Sequence, residues 1–239
     1  MPAVFQEEKH PRFPKGHPRG GQFMEKPDVP DVEEDPSDVS PEEREILRDY
    51  QNSGYAQINY SLRRQKYINE HVERKIQILD RLFERVPERD LEVWRGDAFG
   101  LAKELLEKAG VDFHITAYDY QENPEKVRDL EDKLNRALRG KIFRDRGFVS
   151  TTDSEEVAKR DFLIFGLHEM RPYETMARGL ARITGRAKAI RPAKYTQHRE
   201  HERELIIQRG TAFRVKSVSI RALSSQDLYL FWELEIVKE

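Results

Sequence analysis

Between Ile68 and Val86 apolar side chains recur three and four residues apart, at Val72, Ile76, Leu79, Leu82, Phe83 and Val86, with charged residues filling the gaps. That spacing draws one apolar stripe along a helix, which Pro87 then ends. Upstream, Ser40 followed by Pro41 and Glu43 has the arrangement of a capping box and predicts a helix through Ile46, Leu47 and Tyr50 to a break near Gly54. A second helix takes Ile58 and Leu62. Two more amphipathic helices are predicted over 100–109 and 124–138, the latter opened by Pro124 and followed by Gly140.

After Gly140 the period shortens. The segments 149–152, 180–184, 204–208, 212–220 and 228–237 are rich in β-branched and aromatic residues, and several alternate in polarity. Helices first and strands later predict an α+β domain rather than a doubly wound one. No G-x-G-x-x-G follows any strand, so a Rossmann cofactor site is unsupported.

Composition changes the picture at the N-terminus. The 37% hydrophobic content of the 239 residues suffices for one core, but 36% charged residues and a mean hydropathy of -0.83 imply a part that is never buried. Eight of the twelve prolines lie between Pro2 and Pro41, so residues 1–40 are expected to be a disordered, Pro-rich tail and 41–239 the folded domain. The tail carries a near-repeat, HPRFPKG at 10–16 and HPRGGQF at 17–23, then an acidic stretch from Asp28 to Asp35. HPR followed by glycine and phenylalanine resembles short tails on bacteriophage head and head-associated proteins.

A formal net charge of -2 argues against a general nucleic-acid or membrane-surface binder, which needs a basic excess. With no cysteine there is no disulfide, thiolate nucleophile or Cys-ligated zinc. The first residues hold no apolar signal region, and runs such as 162–165 are too short to span a bilayer. The expectation is a cytoplasmic monomer, with packaging in a virion or delivery into a host cell as special routes.

Three short segments concentrate the candidate chemistry. LEVWRG ends at Gly96, RGFVSTT at Thr152 and EHERELIIQRG at Gly210, each with a reactive polar residue at the edge of a predicted strand: Arg95, Ser150 and Glu204, with Glu202 two residues before the last. An arginine, a hydroxyl and paired carboxylates together suit a dianionic cofactor and a developing cation, which points to chemistry on NAD. Taken singly, each has a plainer reading. Arg95 could be a buried ion pair, Ser-Thr-Thr ordinary β-structure, and the two glutamates solvated acids on a strand edge.

In this order the segments resemble the R-S-E class of mono-ADP-ribosyltransferases, which includes binary toxins and phage-encoded enzymes. GKIFRDRGFVSTT follows the family's glycine, basic residue and GF before its hydroxyl motif, and ERELIIQRGTAFRV follows its closing strands. YAQINYSLRR resembles the helix that closes over NAD in the toxin branch, and the similarity covers most of residues 45–222. Two positions depart from the pattern: Thr152 replaces the usual serine, and Gly147 stands where some toxins carry asparagine.

The resemblance implies an ADP-ribosyltransferase-like fold: N-terminal helices, then two packed, largely antiparallel sheets around an NAD cleft. It implies that Arg95 pairs with the pyrophosphate beside Gly96, that Ser150 fixes the catalytic Glu204, and that Thr151 lines the nicotinamide site. Tyr50, Tyr55 and Asn59 would meet the cofactor or acceptor; Arg63 and Arg182 are candidates for further phosphate contacts, or equally surface charges. Glu202, expected to share a strand face with Glu204 because strand residues two apart do so, would orient an acceptor arginine. Tyr195, in the loop KYTQHREH, would contact the target protein. His198 and His201 are three apart, but no third ligand accompanies them, so no metal is expected. The implied activity is transfer of ADP-ribose from NAD to an arginine of a protein, with a bacterial host protein as the expected partner and no nucleic acid or membrane required. The alternatives are an NAD glycohydrolase using water and a non-enzymatic phage head-associated protein.

Overall fold

Ser40 caps the first helix in the way its sequence predicts. Its Oγ accepts from Glu43 N at 3.2 Å, and Glu43 Oε2 accepts from Ser40 N at 2.8 Å. The computed structural model describes residues 39–66, 68–97, 106–107, 110, 117–164, 179–223 and 228–238. The tail expected over 1–40, apart from its last two residues, and most of the helix expected over 100–109 lie outside them.

Helix α1, Pro41–Asp49, does not break at Gly54. It passes through a π-helical turn, Tyr50–Gly54, directly into α2, Tyr55–Arg64. A Cβ on Gly54 would meet Asp49 Oδ2 at 2.2 Å, so the glycine serves the wide turn rather than ending the helix. Helix α3, Glu70–Arg85, starts on an Asn69 cap, its Oδ1 accepting from Val72 N at 2.9 Å. The α3 C-terminal carbonyls of Phe83 and Glu84 receive Lys188 Nζ at 2.9 and 3.1 Å. Arg85 reaches back to both oxygens of Glu43, each at 2.9 Å, and so fixes α3 to α1.

The strands follow as β1 Glu88–Asp97, β2 Ile142–Arg144, β3 Val149–Thr152, β4 Gly179–Ile190, β5 Glu204–Ile207, β6 Ala212–Ala222 and β7 Leu228–Val237. Between them lie α4 Ala117–Glu122, α5 Pro124–Leu138, α6 Glu155–Val157 and α7 Ala193–Thr196. The α+β class and the largely antiparallel pairing are as expected, with β4 and β7 the parallel pair. The strands form one hydrogen-bonded network in the order β1-β3-β5-β4-β7-β6-β2, closed by a long β1–β4 pairing. The short strands β3 and β5 join its ends through Trp94 with Thr152 and through Ala189 and Ile190 with Ile207 and Ile206.

Period two divides β5 between two cores. Leu205 and Ile207 join a cluster with Val149, Val93 and the α5 side chains Leu134 and Leu138. Ile206 joins Phe148, Ile190 and the α1 to α3 residues Leu47, Tyr50, Leu79 and Phe83. Glu204, two residues from Ile206, therefore faces the helices. Phe148 is the bridge. Its ring stacks on Phe83 at 5.6 Å and meets Tyr50 edge-on at 6.1 Å, and none of it is exposed. Phe148→Ala is expected to cost about 3–5 kcal/mol, read as a lowered urea midpoint.

Candidate active site

Glu204 opens β5 opposite Thr152 of β3, with Ser150 two residues away on the same face. Only 7% of it is exposed. Burial pushes its carboxyl up to about 7; Ser150 pulls it down, nearby Glu202 pushes it further up, and Gln51 and the Arg199 charge pull it down. Its Oε2 is buried with no hydrogen-bond partner among the described residues. A buried acceptor left open in this way fits a hydroxyl-bearing ligand.

Behind Ser150 stands a chain of hydrogen bonds. Tyr50 Oη lies 3.2 Å from Ser150 Oγ and accepts from Asn59 Nδ2 at 2.9 Å, while Asn59 Oδ1 accepts from Phe148 N at 2.9 Å. Burial pushes the Tyr50 phenol up to about 12, so it stays protonated. Tyr50 has no exposed surface and Asn59 only 5%, with both ends of the amide in use. Both stand behind Ser150 in this chain rather than on an open surface. Tyr55, 47% exposed and 6.2 Å from the Tyr50 ring, is the aromatic surface left for a ligand.

Gly147 explains its departure from the toxin pattern. A Cβ there would meet Asn59 Oδ1 at 2.8 Å, the atom that receives Phe148 N. Arg63 holds Asp145 through two bonds of 2.9 Å.

Arg95 and Gly96 are half-buried on β1, opposite Ala181 and Leu180. The Arg95 charge is felt at the Tyr50 hydroxyl. Arg182 does not join it. It neighbours Ala181, the partner of Arg95, so its side chain leaves by the other face, bonding Glu92 at 3.0 Å and approaching Glu233 at 3.8 Å. Thr151 is likewise turned away from Ser150, and its Oγ1 donates to Leu205 O at 2.8 Å.

Glu202 is not on a strand. It ends a 3-10 turn, Glu200–Glu202, and Arg203, at φ 50°, resets the chain before β5. The shared-face argument for it is corrected, although its charge still reaches Glu204. Gln197 and Arg199 are also left-handed, at φ 51° and 55°, a conformation that non-glycine residues hold only when surroundings impose it. The surroundings are the π-turn. Gln51 Oε1 accepts from Thr196 Oγ1 at 2.6 Å, Gln51 Nε2 donates to His198 O at 3.1 Å, and Asn52 Oδ1 lies 2.8 Å from His198 Nε2. Arg48 adds a bond to Thr196 O at 3.0 Å. Tyr195, partly buried, packs against the helical core. Lys194, Gln197, Glu200 and His201 are the loop's exposed positions.

Gln51 is the site residue that the sequence reading missed. Only 3% exposed, it both latches this loop and faces Glu204. The available signal was a polar residue beside Tyr50, hidden because an ordinary helical period does not turn both inward. Among the described residues no group of three His, Asp or Glu side chains is placed to hold a metal ion.

Residues 25–239 match the family model for the ADP-ribosyltransferase exoenzymes. The chain belongs to that family. No curated protein sequence matches the chain. Among solved structures, the ADP-ribosyltransferase Vis from Vibrio splendidus, bound to an inhibitor, aligns at TM-score 0.55 with 19% identity, covering 84% of this chain and 74% of that one. Plx2a from Paenibacillus larvae gives 0.55 and 18%, covering 84% and 88%. The Clostridium limosum C3 exoenzyme gives 0.57 and 15%, covering 84% and 87%. These likenesses establish the ADP-ribosyltransferase fold, and the family supplies the reaction class, ADP-ribose transfer from NAD.

Two predictions follow from the electrostatics of Glu204. Its folded-state value of about 7 exceeds the ordinary 4.5, so stability present below pH 4.5 is lost as pH rises to about 7. Glu204→Gln is expected to be more stable than the parent at pH 8, by up to about 3 kcal/mol, with the difference vanishing near pH 4 in urea titrations. Gln51→Leu, which removes a dipole favouring the carboxylate, is expected to move the pH midpoint of NAD turnover above the parent's.

Proposed function

We propose that the chain is an R-S-E type enzyme transferring ADP-ribose from NAD to an arginine side chain of a target protein. The observation that carries this reading is the pair of acids: a desolvated Glu204 with an open oxygen, and beside it Glu202, whose carboxylate is already shaped around a guanidinium.

Glu204 accepts the ribose 2'-hydroxyl on its open Oε2 and stabilises the positive charge that grows on the sugar as nicotinamide departs. Ser150, backed by Tyr50 and Asn59, holds that carboxylate in place. Arg95 offers a guanidinium fork to the pyrophosphate, and Tyr55 offers its ring face to a base. Glu202 receives the acceptor guanidinium and takes the proton it must lose to attack, because arginine itself is fully protonated at neutral pH. A structure of Vis with agmatine, which carries a guanidinium, supports an acceptor of this chemistry. One of exoenzyme S with carba-NAD and human 14-3-3 protein beta supports an NAD-type ligand.

The test separates the two acids. Glu202→Gln is expected to reduce transfer to protein by about 10²-fold or more, the scale of a lost general base, while NAD hydrolysis persists; Glu204→Gln removes both. Labelled NAD incubated with a bacterial lysate, followed by mass spectrometry of the modified residue, identifies the acceptor. Label on cysteine or asparagine, or nicotinamide release with no labelled protein, would overturn the arginine reading.

A further inference from the structure

Glu202 already holds a guanidinium. Arg199 Nη1 donates to Glu202 Oε1 at 2.8 Å from three residues upstream in the same turn. The Arg199 charge also reaches Glu204, so one cation lies beside both acids. Its backbone is left-handed at φ 55° and sits next to His198, whose carbonyl and ring are both bonded to the π-turn. The placement is therefore built from outside the turn. Within the pair the acid is the inner member, its side chain 14% exposed, and the arginine the outer one at 37%.

We propose that Arg199 is a resident stand-in for the acceptor, a specificity-determining side chain that an incoming guanidinium must displace from Glu202. This rests on the reading of Glu202 as the acceptor-orienting acid. Two guanidinium groups cannot share the Glu202 lone pairs at one site without like-charge repulsion, so acceptor binding and the Arg199 bridge compete. Arg199 is exposed enough to swing into solvent, whereas Glu202 stays inside. The bridge also pairs a sheltered carboxylate whenever no acceptor is bound, which removes the cost of leaving it alone. An acceptor is thus selected by having to outcompete an internal arginine, which disfavours small or weakly seated guanidines.

The experiment measures initial rates of ADP-ribose transfer from NAD to agmatine, with NAD hydrolysis followed in parallel, for the full chain and for Arg199→Ala and Arg199→Lys. Arg199→Ala is expected to lower the agmatine KM about two- to five-fold, the range an ion pair of this exposure supports. Arg199→Lys keeps a cation but loses the planar fork, and is expected to fall between Arg199→Ala and the parent. Should Arg199→Ala fail to fold, a lowered KM in Arg199→Lys carries the same conclusion. An unchanged or raised KM in the soluble variants, with the parent still modifying agmatine, overturns the competition and leaves the arginine reading intact. Hydrolysis of NAD with no transfer to agmatine or to any protein arginine overturns both.

Discussion

The site depends on one cost, the removal of the Glu204 carboxylate from water. A carboxylate on a short strand would ordinarily be solvated; here α1, the π-turn and α2 lie across the face it occupies, and its acidity falls to about neutral. The fold meets that cost only in part. Ser150 and Gln51 offer dipoles and Arg199 offers charge, but Oε2 has no partner among the described residues, and the nearby Glu202 adds repulsion. On the proposed reading, a hydroxyl donor or a developing cation would offset the remaining cost, since either satisfies the carboxylate better than the protein does.

Much of the architecture could be read from the chain because local signals agreed with tertiary ones. The Ser40 capping box, the apolar stripe of α3 and the stop before Pro87 all appear where they were expected. The α5 helix, Pro124–Leu138, has the expected bounds, and the β6 and β7 strands extend or match theirs. Glu204 and Ser150 meet across the β3–β5 ladder, which the order of the motifs could suggest but not specify.

The errors have a common physical source: a residue's place in a motif does not say which way its side chain points. In LARIT, Ala181 and Ile183 pack into the sheet core, so Arg182 between them has to leave by the opposite face. Thr151 fails for the same reason, one step from Ser150. Tyr50 and Asn59 are buried in a hydrogen-bonded chain behind Ser150, a placement their spacing alone does not reveal. Gln51 was missed because a π-turn inserts an extra residue per turn and so brings Tyr50 and its polar neighbour inward together, something a period of 3.6 does not anticipate.

The same π-turn accounts for the geometry of the second acid. Had residues 202–204 continued as strand, the pleat would have set the separation and direction of the two carboxylates, leaving nothing to adjust. Instead the left-handed backbones at Gln197, Arg199 and Arg203 free Glu202 from the strand, at a cost on the order of 1 kcal/mol each. Bonds from Gln51, Asn52 and Arg48 offset that strain from outside the loop. Because Gln51 contributes both to this latch and to the environment of Glu204, the position of Glu202 and the acidity of Glu204 are coupled through one buried amide. A movement of the loop that released Gln51 from Thr196 and His198 would change both at once.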